Sequence, residues 1–259
     1  MQNELIRFDQ VHLRFGDETI FSDLSFAIRA GEFVCLLGPS GCGKSTSLRL
    51  MGYLLDSDGG RITIDGKNPS EAWDRLAFVF QSPRLVPWRT AFGNVRLGME
   101  LRGCDLKPQE ADAKAMQNLE LVGLARDTAK YPRMLSGGER QRVALARALA
   151  VEPDIILMDE PFSALDPNTR QRLRSEIISV WQKTGKTIVF VTHDIEEALV
   201  LADRILLLSN KPTRVIKEVA IAEPRPRTLS HNAILARQRE ELIDTFKQLE
   251  NHREEGAPS

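Results

Sequence analysis

Residues Gly38 to Thr46 read GPSGCGKST and directly follow the apolar run FVCLL. They satisfy the pattern G-x-x-x-x-G-K-[S/T], in which glycines let a loop wrap closely and point successive N–H groups inward. A helix that starts at Lys44 adds its positive N-terminal end. Lys44 can reach the outer phosphates, and the Ser45 hydroxyl can ligate Mg²⁺. The stretch predicts a phosphate loop for a nucleoside triphosphate, lined by Gly38, Pro39, Ser40, Gly41, Cys42, Gly43, Lys44, Ser45 and Thr46.

The patterns around this loop predict an α/β fold with a P-loop core and a mostly parallel sheet. Near the N-terminus, LIRFDQVHLRF and TIFSDLSFAI are separated by a GDE turn and predict an antiparallel pair of strands. SDGGRITIDGK predicts a further short strand between two turns. Continuous apolar runs are typical of strands covered on both faces. Such runs are EFVCLLG, RLAFVFQ from Arg75 to Gln81, IILMDEP, TIVFVTH and RILLLS.

The helical patterns predict a helix after the phosphate loop and a helical region from about Asn94 to Ala150, broken around LRGCDLKPQE. RQRLRSEIISVWQK is amphipathic, with one side formed by Leu173, Ile177, Ile178 and Trp181. We assign residues 1–222 to the main domain, with a helical subdomain inserted at about 90–152. Residues 223–259 form a short tail with one helix, whose common face contains Leu235, Leu242, Phe246 and Leu249. Packing on its own domain is favoured for this helix over binding a partner.

Composition narrows the function classes. The 35 basic and 36 acidic residues nearly balance, which argues against a broad nucleic-acid footprint and predicts no nucleic-acid partner. Three cysteines without paired spacing fit a reducing cytosol rather than a disulfide framework or a zinc site. The N-terminus does not read as a signal peptide, and no uncharged apolar stretch is long enough to span a bilayer. Any action on a membrane therefore requires membrane partners.

Polar side chains follow three of the predicted strands. The strand IILMD ends in Asp159, which can hold the Mg²⁺ shell, and Glu160 can then polarise a water aimed at the γ-phosphate. Two adjacent carboxylates repel each other, so a bound cation is expected. His193 follows the strand TIVFVT, and Gln81 ends RLAFVFQ in the same manner. These placements favour contacts of His193 and Gln81 with the same phosphate.

A second anion-binding helix start is predicted at LSGGERQRVALARAL, where Ser136, Gly137 and Gly138 precede a strongly helical run. One triphosphate does not need two such cradles on a single subunit. The economical arrangement is two copies of the chain facing head to tail. Each copy then lends Ser136, Gly137 and Gly138 to the nucleotide of the other.

Lys44, Gln81, the LSGGE run, MDEP, SALD and His193, in this order, resemble the ATP-binding cassette ATPases over roughly residues 3 to 220. The resemblance implies ATP and Mg²⁺ as cofactors, with Ser45, Gln81 and Asp159 around the metal. It also implies that Glu160, His193 and Gln81 are catalytic, that Asp166 is a dimer contact and that Phe15 stacks on adenine. Taken by itself, Phe15 is equally compatible with an ordinary core residue. Glu139 stands where the family most often has Gln, which puts a sugar contact in doubt but not hydrolysis.

The absence of fused membrane helices resembles the importer arrangement. FQSPRLVPWRTAFGNVRLGMELRG and FVTHDIEEALVLADRILLLS look like the nitrate, sulfonate and taurine group of bacterial importers. This implies an ATPase on the cytoplasmic face of the cell membrane, bound to permease subunits and indirectly to a substrate-binding protein. Trp88 either grips a permease helix or belongs to an apolar turn packed on the domain. An importer for an amino acid, a betaine or a lipid stays open, as do a non-transport cassette protein and a small-molecule kinase.

The cysteines yield one further expectation. Cys42 lies in the phosphate loop near a helix N-terminus, where its pKa is expected to fall. Alkylation there should then inhibit the protein, and ATP should protect it. Cys35, inside a strand, should be inert.

Overall fold

The structure is a computed structural model, and it describes residues 4–163, 165–229 and 232–255. The described residues within 1–73 and 188–259 pack as one compact unit, and the described residues within 74–187 pack as another. The described strands are β1 (Glu4–Phe15), β2 (Glu18–Arg29), β3 (Phe33–Leu37), β4 (Gly59–Ile64), β5 (Leu76–Val79), β6 (Ile155–Asp159), β7 (Thr187–Thr192), β8 (Arg204–Leu208) and β9 (Val215–Ala220). The described α-helices are α1 (Lys44–Met51), α2 (Ala91–Arg102), α3 (Pro108–Leu121), α4 (Gly137–Ala150), α5 (Pro167–Thr184), α6 (Ile195–Leu201) and α7 (Ala233–Glu255).

An antiparallel sheet opens the first unit, with the strand order β2-β1-β4. Its alternating apolar residues turn to one face, and Phe8 on β1 pairs with Phe26 on β2 and with Ile62 on β4. The rings of Phe8 and Phe26 stack with centroids 4.5 Å apart. On this face Phe8 packs between side chains of both neighbouring strands. Such cross-strand packing stabilises the sheet although its other face is polar.

Parallel strands form the second layer of the first unit. β3 is buried along its whole length and lies between β7 and β8, both parallel to it, while β9 joins β8 antiparallel. Leu37 at the end of β3 is paired with Thr192 at the end of β7. The residues that follow these two strands therefore emerge at the same edge, where open parallel sheets bind ligands.

The second unit combines the parallel pair β5–β6 with helices α2 to α5. Helices α2, α3 and α4 contact one another, and α4 also contacts α5. Side chains cap the starts of three of these helices: Thr90 accepts from Gly93 N–H, Ser136 from Glu139 N–H, and Asp166 from Thr169 N–H. These caps satisfy N–H groups that have no partner inside the helix and so fix where each helix begins.

The predicted α/β fold is confirmed, with parallel strands, an N-terminal antiparallel portion and a helical part. Some boundaries are corrected. β5 ends at Val79 rather than at Gln81, and the helical region has a second break, at 122–136, because Gly123 adopts a left-handed conformation there. No sequence pattern predicted α6 or β9. The boundaries proposed at 222 and at 90–152 stay predictions.

The C-terminal helix packs on its own unit, as favoured from the sequence. It contacts α6, and Leu235 and Leu242 are fully buried. Phe246 and Leu249, predicted on the same face, are only half-buried. Within the described part of the chain, no helix combines the length and apolarity needed to cross a bilayer.

Candidate functional site

The phosphate loop connects the buried end of β3 to α1, as the sequence predicts. Gly41 has φ 81° and Gly43 has φ 104°, values that glycine adopts without the strain a Cβ would cause. A Cβ on Gly43 would lie 2.8 Å from Phe21 Cε1, and one on Gly38 would lie 2.9 Å from Cys42 Sγ. At Gly38 and Gly43 the loop therefore has room for bare backbone only, whereas a Cβ on Gly41 would meet open space and it is the positive φ that favours glycine there. Bare backbone is the property that a cradle of N–H groups requires.

Lys44 lies inside this loop rather than in solvent. Its side chain is 4% exposed, and Nζ donates 2.8 Å hydrogen bonds to the carbonyl oxygens of Gly38 and Pro39. An ammonium group carries three N–H donors. The two carbonyls hold the charge in a fixed place, and the third donor is the one with which Lys44 can contact a phosphate oxygen. The residues present thus fit a triphosphate.

The environment of Cys42 does not agree with the reactivity predicted for it. The residue is 2% exposed, and this burial raises the pKa of its thiol, although Lys44 and nearby backbone N–H groups act in the opposite direction. Desolvation disfavours the thiolate more strongly than the neighbouring charge favours it. The predicted low pKa was therefore wrong, and nothing remains to favour alkylation at Cys42. Burial also raises the pKa of Cys35 well above its usual value, in agreement with an inert thiol.

His193 follows the last residue of β7 and is exposed at the edge where the phosphate loop begins. The turn around it is built by buried polar groups. Thr192 Oγ1 donates to Glu197 Oε2 at 2.7 Å and accepts from Asp194 N–H at 3.1 Å. Asp194 in turn caps α6 by accepting from Glu196 and Glu197 N–H. These bonds fix the backbone on the C-terminal side of His193, and its contact with a phosphate stays a prediction.

Phe15 ends β1, and its ring is 49% exposed. The sequence left open whether this residue belongs to the core. An exposed aromatic face is available for stacking on a base, which is the role that the family resemblance implies. That role also stays a prediction.

In the second unit, β6 ends in one of the two predicted carboxylates, Asp159, and the other, Glu160, directly follows it. Asp159 and Glu160 are both half-buried, and Glu160 has a left-handed backbone with φ 41°. Left-handed conformations are uncommon for residues other than glycine and cluster at functional sites. The backbone at Glu160 therefore has a conformation that a glutamate does not favour, as is common for residues at functional sites.

Ser163, which was not among the predicted site residues, connects Gln81 to this turn. Gln81 Nε2 donates to Ser163 Oγ at 3.0 Å, and Ser163 Oγ donates to the Glu160 carbonyl at 3.1 Å. Val79 and Met158 are paired across the parallel strands β5 and β6, so Gln81 and Asp159 both emerge at one edge. Ser163 was detectable only as part of SALD, whose Ala164 lies outside the described residues.

The LSGGE motif starts α4, as predicted. Ser136 Oγ accepts from Glu139 N–H at 3.2 Å, and Glu139 Oε2 accepts from Ser136 N–H at 2.7 Å, which forms a capping box. The glycines have a packing reason: a Cβ on Gly138 would lie 2.3 Å from Thr169 Cγ2, and one on Gly137 would lie 3.3 Å from Leu165 Cδ2. Small residues here let the start of α4 lie directly against the start of α5.

Asp166, the predicted dimer contact, is exposed and caps α5. Its carboxylate accepts from Thr169 N–H at 3.0 Å, and the hydrogen bonds with Thr169 lower the pKa of Asp166. The side chain thus has a local role in this chain. Its contact with a second copy stays a prediction.

A family model for ABC transporters matches residues 21–163 of this sequence. The chain belongs to the ABC transporter family. The matched region contains the phosphate loop, the LSGGE motif, Asp159 and Glu160. The recognition of an ATP-binding cassette ATPase from the sequence is thereby confirmed.

Relatives of this ABC protein include importer subunits. A taurine import ATP-binding protein, TauB, of Pseudomonas aeruginosa is 41% identical over 234 residues, which cover 88% of each chain. A nitrate import ATP-binding protein, NrtD, of Synechococcus elongatus is 39% identical over 227 residues, covering 86% of this chain and 83% of the relative. The resemblance to the nitrate, sulfonate and taurine group is confirmed by these matches.

Among solved structures, a dimeric post-hydrolysis state of the ATP-binding cassette MJ0796 bound to ADP and Pi is similar. Its TM-score is 0.74 at 33% identity, and the match covers 85% of this chain and all of that one. The fold predicted for this ABC protein is confirmed by that similarity. The post-hydrolysis state of MJ0796, with ADP and Pi bound, also agrees with the assignment of this chain to the ATPases.

Proposed function

We propose that this chain is the ATP-hydrolysing subunit of an importer that takes up a small anion of the nitrate, sulfonate or taurine type. The phosphate loop carries the proposal, because Gly38 and Gly43, which have no room for a Cβ, and a buried Lys44 form a cradle that fits a triphosphate. The importer relatives support the assignment to transport. The cargo class rests on those names alone. It is contradicted if the cognate binding protein captures amino acids or betaine rather than small anions in calorimetry.

ATP is proposed to lie between two copies of the chain. Gly38 to Thr46 of one copy hold the phosphates, Phe15 stacks on the base, and Ser136 to Glu139 of the other copy contact the nucleotide. The dimeric state of MJ0796 bound to ADP and Pi supports a two-copy arrangement. A head-to-tail pair gives each LSGGE helix start a ligand, which a single copy does not.

The donor set fits Mg²⁺. Hydroxyl, amide and carboxylate oxygens from Ser45, Gln81 and Asp159 are hard ligands, and Mg²⁺ usually takes only one or two carboxylates in addition to substrate phosphates. When bound, the ion would neutralise charge on the phosphates. Asp159 is half-buried at the end of β6, which limits how far its carboxylate can move.

Hydrolysis is assigned to Glu160, His193 and Gln81. Glu160 accepts a hydrogen bond from the attacking water and orients it, while His193 and Gln81 contact the γ-phosphate. The left-handed turn at Glu160 and the Gln81–Ser163 hydrogen bond hold Glu160 and Gln81 before the nucleotide arrives, and the hydrogen bonds of Thr192 and Asp194 hold the backbone that follows His193. Preorganisation of this kind lowers the barrier because little needs to move during the reaction.

Coupling to the membrane is proposed to run through Trp88. Its side chain is 76% exposed, which is unusual for an indole and is typical of residues that anchor a partner. A permease subunit on the cytoplasmic face of the cell membrane is the proposed partner, with the substrate-binding protein reached only indirectly. ATP drives closure of the two copies only if it binds the closed pair better than the open one.

The Glu160→Gln variant tests the function. ATP binding should remain, hydrolysis should fall by about 10²- to 10⁴-fold, and the variant with Mg-ATP should elute as a dimer. Glu152→Gln is a matched control because Glu152 also has a left-handed backbone, φ 51°, but lies outside the proposed site. Turnover by Glu160→Gln equal to that of the control would remove Glu160 from its role. A monomer at saturating Mg-ATP would contradict the shared site.

A further inference from the structure

The Trp88 loop, defined as residues 80–90, connects β5 to α2 and carries both Gln81 and Trp88. It belongs to neither a helix nor a strand. Much of its backbone is instead held by side chains from α2 and α4. These contacts leave Gln81 exposed at one end and Trp88 exposed near the other.

Arg147, in the last turn of α4, holds the middle of the Trp88 loop. Its Nη2 donates to the Pro83 carbonyl at 2.8 Å, and its Nη1 donates to the Arg84 carbonyl at 2.9 Å. Gly98 on α2 makes room for the arginine, because a Cβ there would lie 2.9 Å from both Arg147 Cγ and Arg147 O. A guanidinium with two carbonyl acceptors in fixed directions defines position and orientation together.

Two further side chains hold the ends of the loop. Gln141 on α4 is 3% exposed, and its Nε2 donates to the Phe80 carbonyl at 3.2 Å. Asn94 on α2 is fully buried, and its Oδ1 accepts from Val86 N–H at 2.7 Å. Asn94 Nδ2 also donates, at 3.0–3.1 Å, to the carbonyls of Val86, Arg89 and Thr90.

Both Gln141 and Arg147 project from the helix that begins at the LSGGE motif. α4 runs unbroken from Gly137 to Ala150 and is buried over most of its length. An uninterrupted helix of this length moves as a rigid body, because every displacement at one end is carried by its backbone hydrogen bonds. The Trp88 loop is therefore tied by side chains to the element that carries Ser136.

We propose that Arg147 and Gln141 are positioning residues that transmit the nucleotide state to Trp88. ATP of the partner copy holds the LSGGE end of α4, and the two side chains carry the resulting shift to the Trp88 loop. This inference rests on the proposed function, since it needs ATP between two copies. It adds that α4 is connected to the Trp88 loop by the guanidinium of Arg147 and the amide of Gln141, which donate to backbone carbonyls of the loop. Single substitutions can therefore remove this connection while the backbone hydrogen bonds of α4 remain.

Trp88 itself provides the readout. The full chain carries three tryptophans, so Trp73→Phe and Trp181→Phe leave Trp88 as the single reporter, in a Glu160→Gln background that retains ATP. Acrylamide quenching of Trp88 is measured with and without Mg-ATP, alongside the elution volume and the melting temperature. Arg147→Gln and Gln141→Leu remove the two contacts, and Arg147→Lys keeps a cation. Arg102→Gln is the matched control, because Arg102 is also a partly buried arginine that donates to a carbonyl, that of Leu76, outside the Trp88 loop.

The expected result is an ATP-dependent change in Trp88 quenching in the parent chain and in Arg102→Gln. That change is lost in Arg147→Gln and Gln141→Leu and partly kept in Arg147→Lys, while all variants still dimerise with ATP. An unaltered quenching response in Arg147→Gln and Gln141→Leu overturns the inference while the proposed function stands. The inference is also overturned if the parent chain dimerises with ATP but shows no change in Trp88 quenching. Loss of dimerisation that is confined to the Arg147 and Gln141 variants overturns it as well. If the parent itself does not dimerise, the proposed function fails, and the inference fails with it.

Discussion

Glu139 shows how one residue can serve the helix and oppose the ligand. Its carboxylate accepts from Ser136 N–H, and this hydrogen bond is the main cause of the lowered pKa of Glu139. A lowered pKa means that the stability from the charged cap is present above the unfolded value and is lost as pH falls through the folded pKa. At neutral pH the first turn of α4 therefore already holds a negative charge where the proposed site needs to attract another.

Glu139→Gln is expected to ease ATP-driven dimerisation. The amide oxygen can still accept from Ser136 N–H, whereas the charge that repels the triphosphate is removed. The ATP concentration for half-maximal dimerisation should fall by about two- to fivefold, the effect of one surface charge at a helix end. The measurement is light scattering with increasing Mg-ATP in the Glu160→Gln background.

The advantage of this variant should persist from about pH 8 to about pH 5.5, because Glu139 stays ionised across that range. Glu196→Gln serves as the control, because it neutralises a first-turn carboxylate on α6 instead. An equal ATP requirement for Glu139→Gln and the unsubstituted chain at neutral pH would show that the charge does not face the nucleotide.

At the scale of elements, the short helix α6 is fastened at both ends. Asp194 caps its start, next to His193. Two arginines from the segment before α7 hold its end, where Arg225 donates to the Leu201 carbonyl and Arg227 to the Leu199 carbonyl. Arg225 pairs with Asp203 at 2.7 Å. Arg227 is 8% exposed and donates to carbonyls of Leu199, Ala202, Ile221 and Glu223. Burial lowers the pKa of Arg227 to about 10, so the group stays charged at neutral pH.

Arg227→Gln should destabilise the first unit by about 2–3 kcal/mol, because several buried carbonyls lose a charged donor. Urea unfolding followed by circular dichroism measures this change. Arg237→Gln is the control, since Arg237 forms an exposed ion pair with Glu241 within α7. That pair should contribute at most about 0.5 kcal/mol. Equal losses in the two variants would mean that the contacts of Arg227 do not hold α6.

At the scale of the whole molecule, the proposed catalytic centre exists only between two copies. Lys44→Ala disables the phosphate loop of a chain, and Ser136→Arg disables its LSGGE motif. In a head-to-tail pair of one variant with the other, one centre contains both substitutions and the second contains neither. Two inactive proteins should therefore regain activity when they are mixed.

An equimolar mixture should recover about a quarter of the unsubstituted turnover, because half of the pairs are mixed and each has one intact centre. Steady-state phosphate release is the measurement, and each variant alone is the control. A mixture as inactive as its parts would indicate that each chain completes its own centre.

The sequence by itself determined the phosphate loop, the β1–β2 hairpin, the apolar strands β3, β6, β7 and β8, and the helix at LSGGE. These features are local, because turn residues, hydrophobic period and capping side chains act within a few residues. Even the departure at Glu139 is visible from sequence, and the structure adds the capping box that explains how it is accommodated.

Only the tertiary structure decided the burial of Cys42, the bridge from Gln81 through Ser163, and the hold of Arg147 on the Trp88 loop. Arg147 and Pro83 are 64 residues apart in sequence, and Gln81 and Ser163 are 82 apart. No local pattern reports such partners, because a buried polar group takes whichever acceptor the fold brings to it. For the same reason, burial in the fold rather than the neighbouring residues in the chain determined that the pKa of Cys42 is raised.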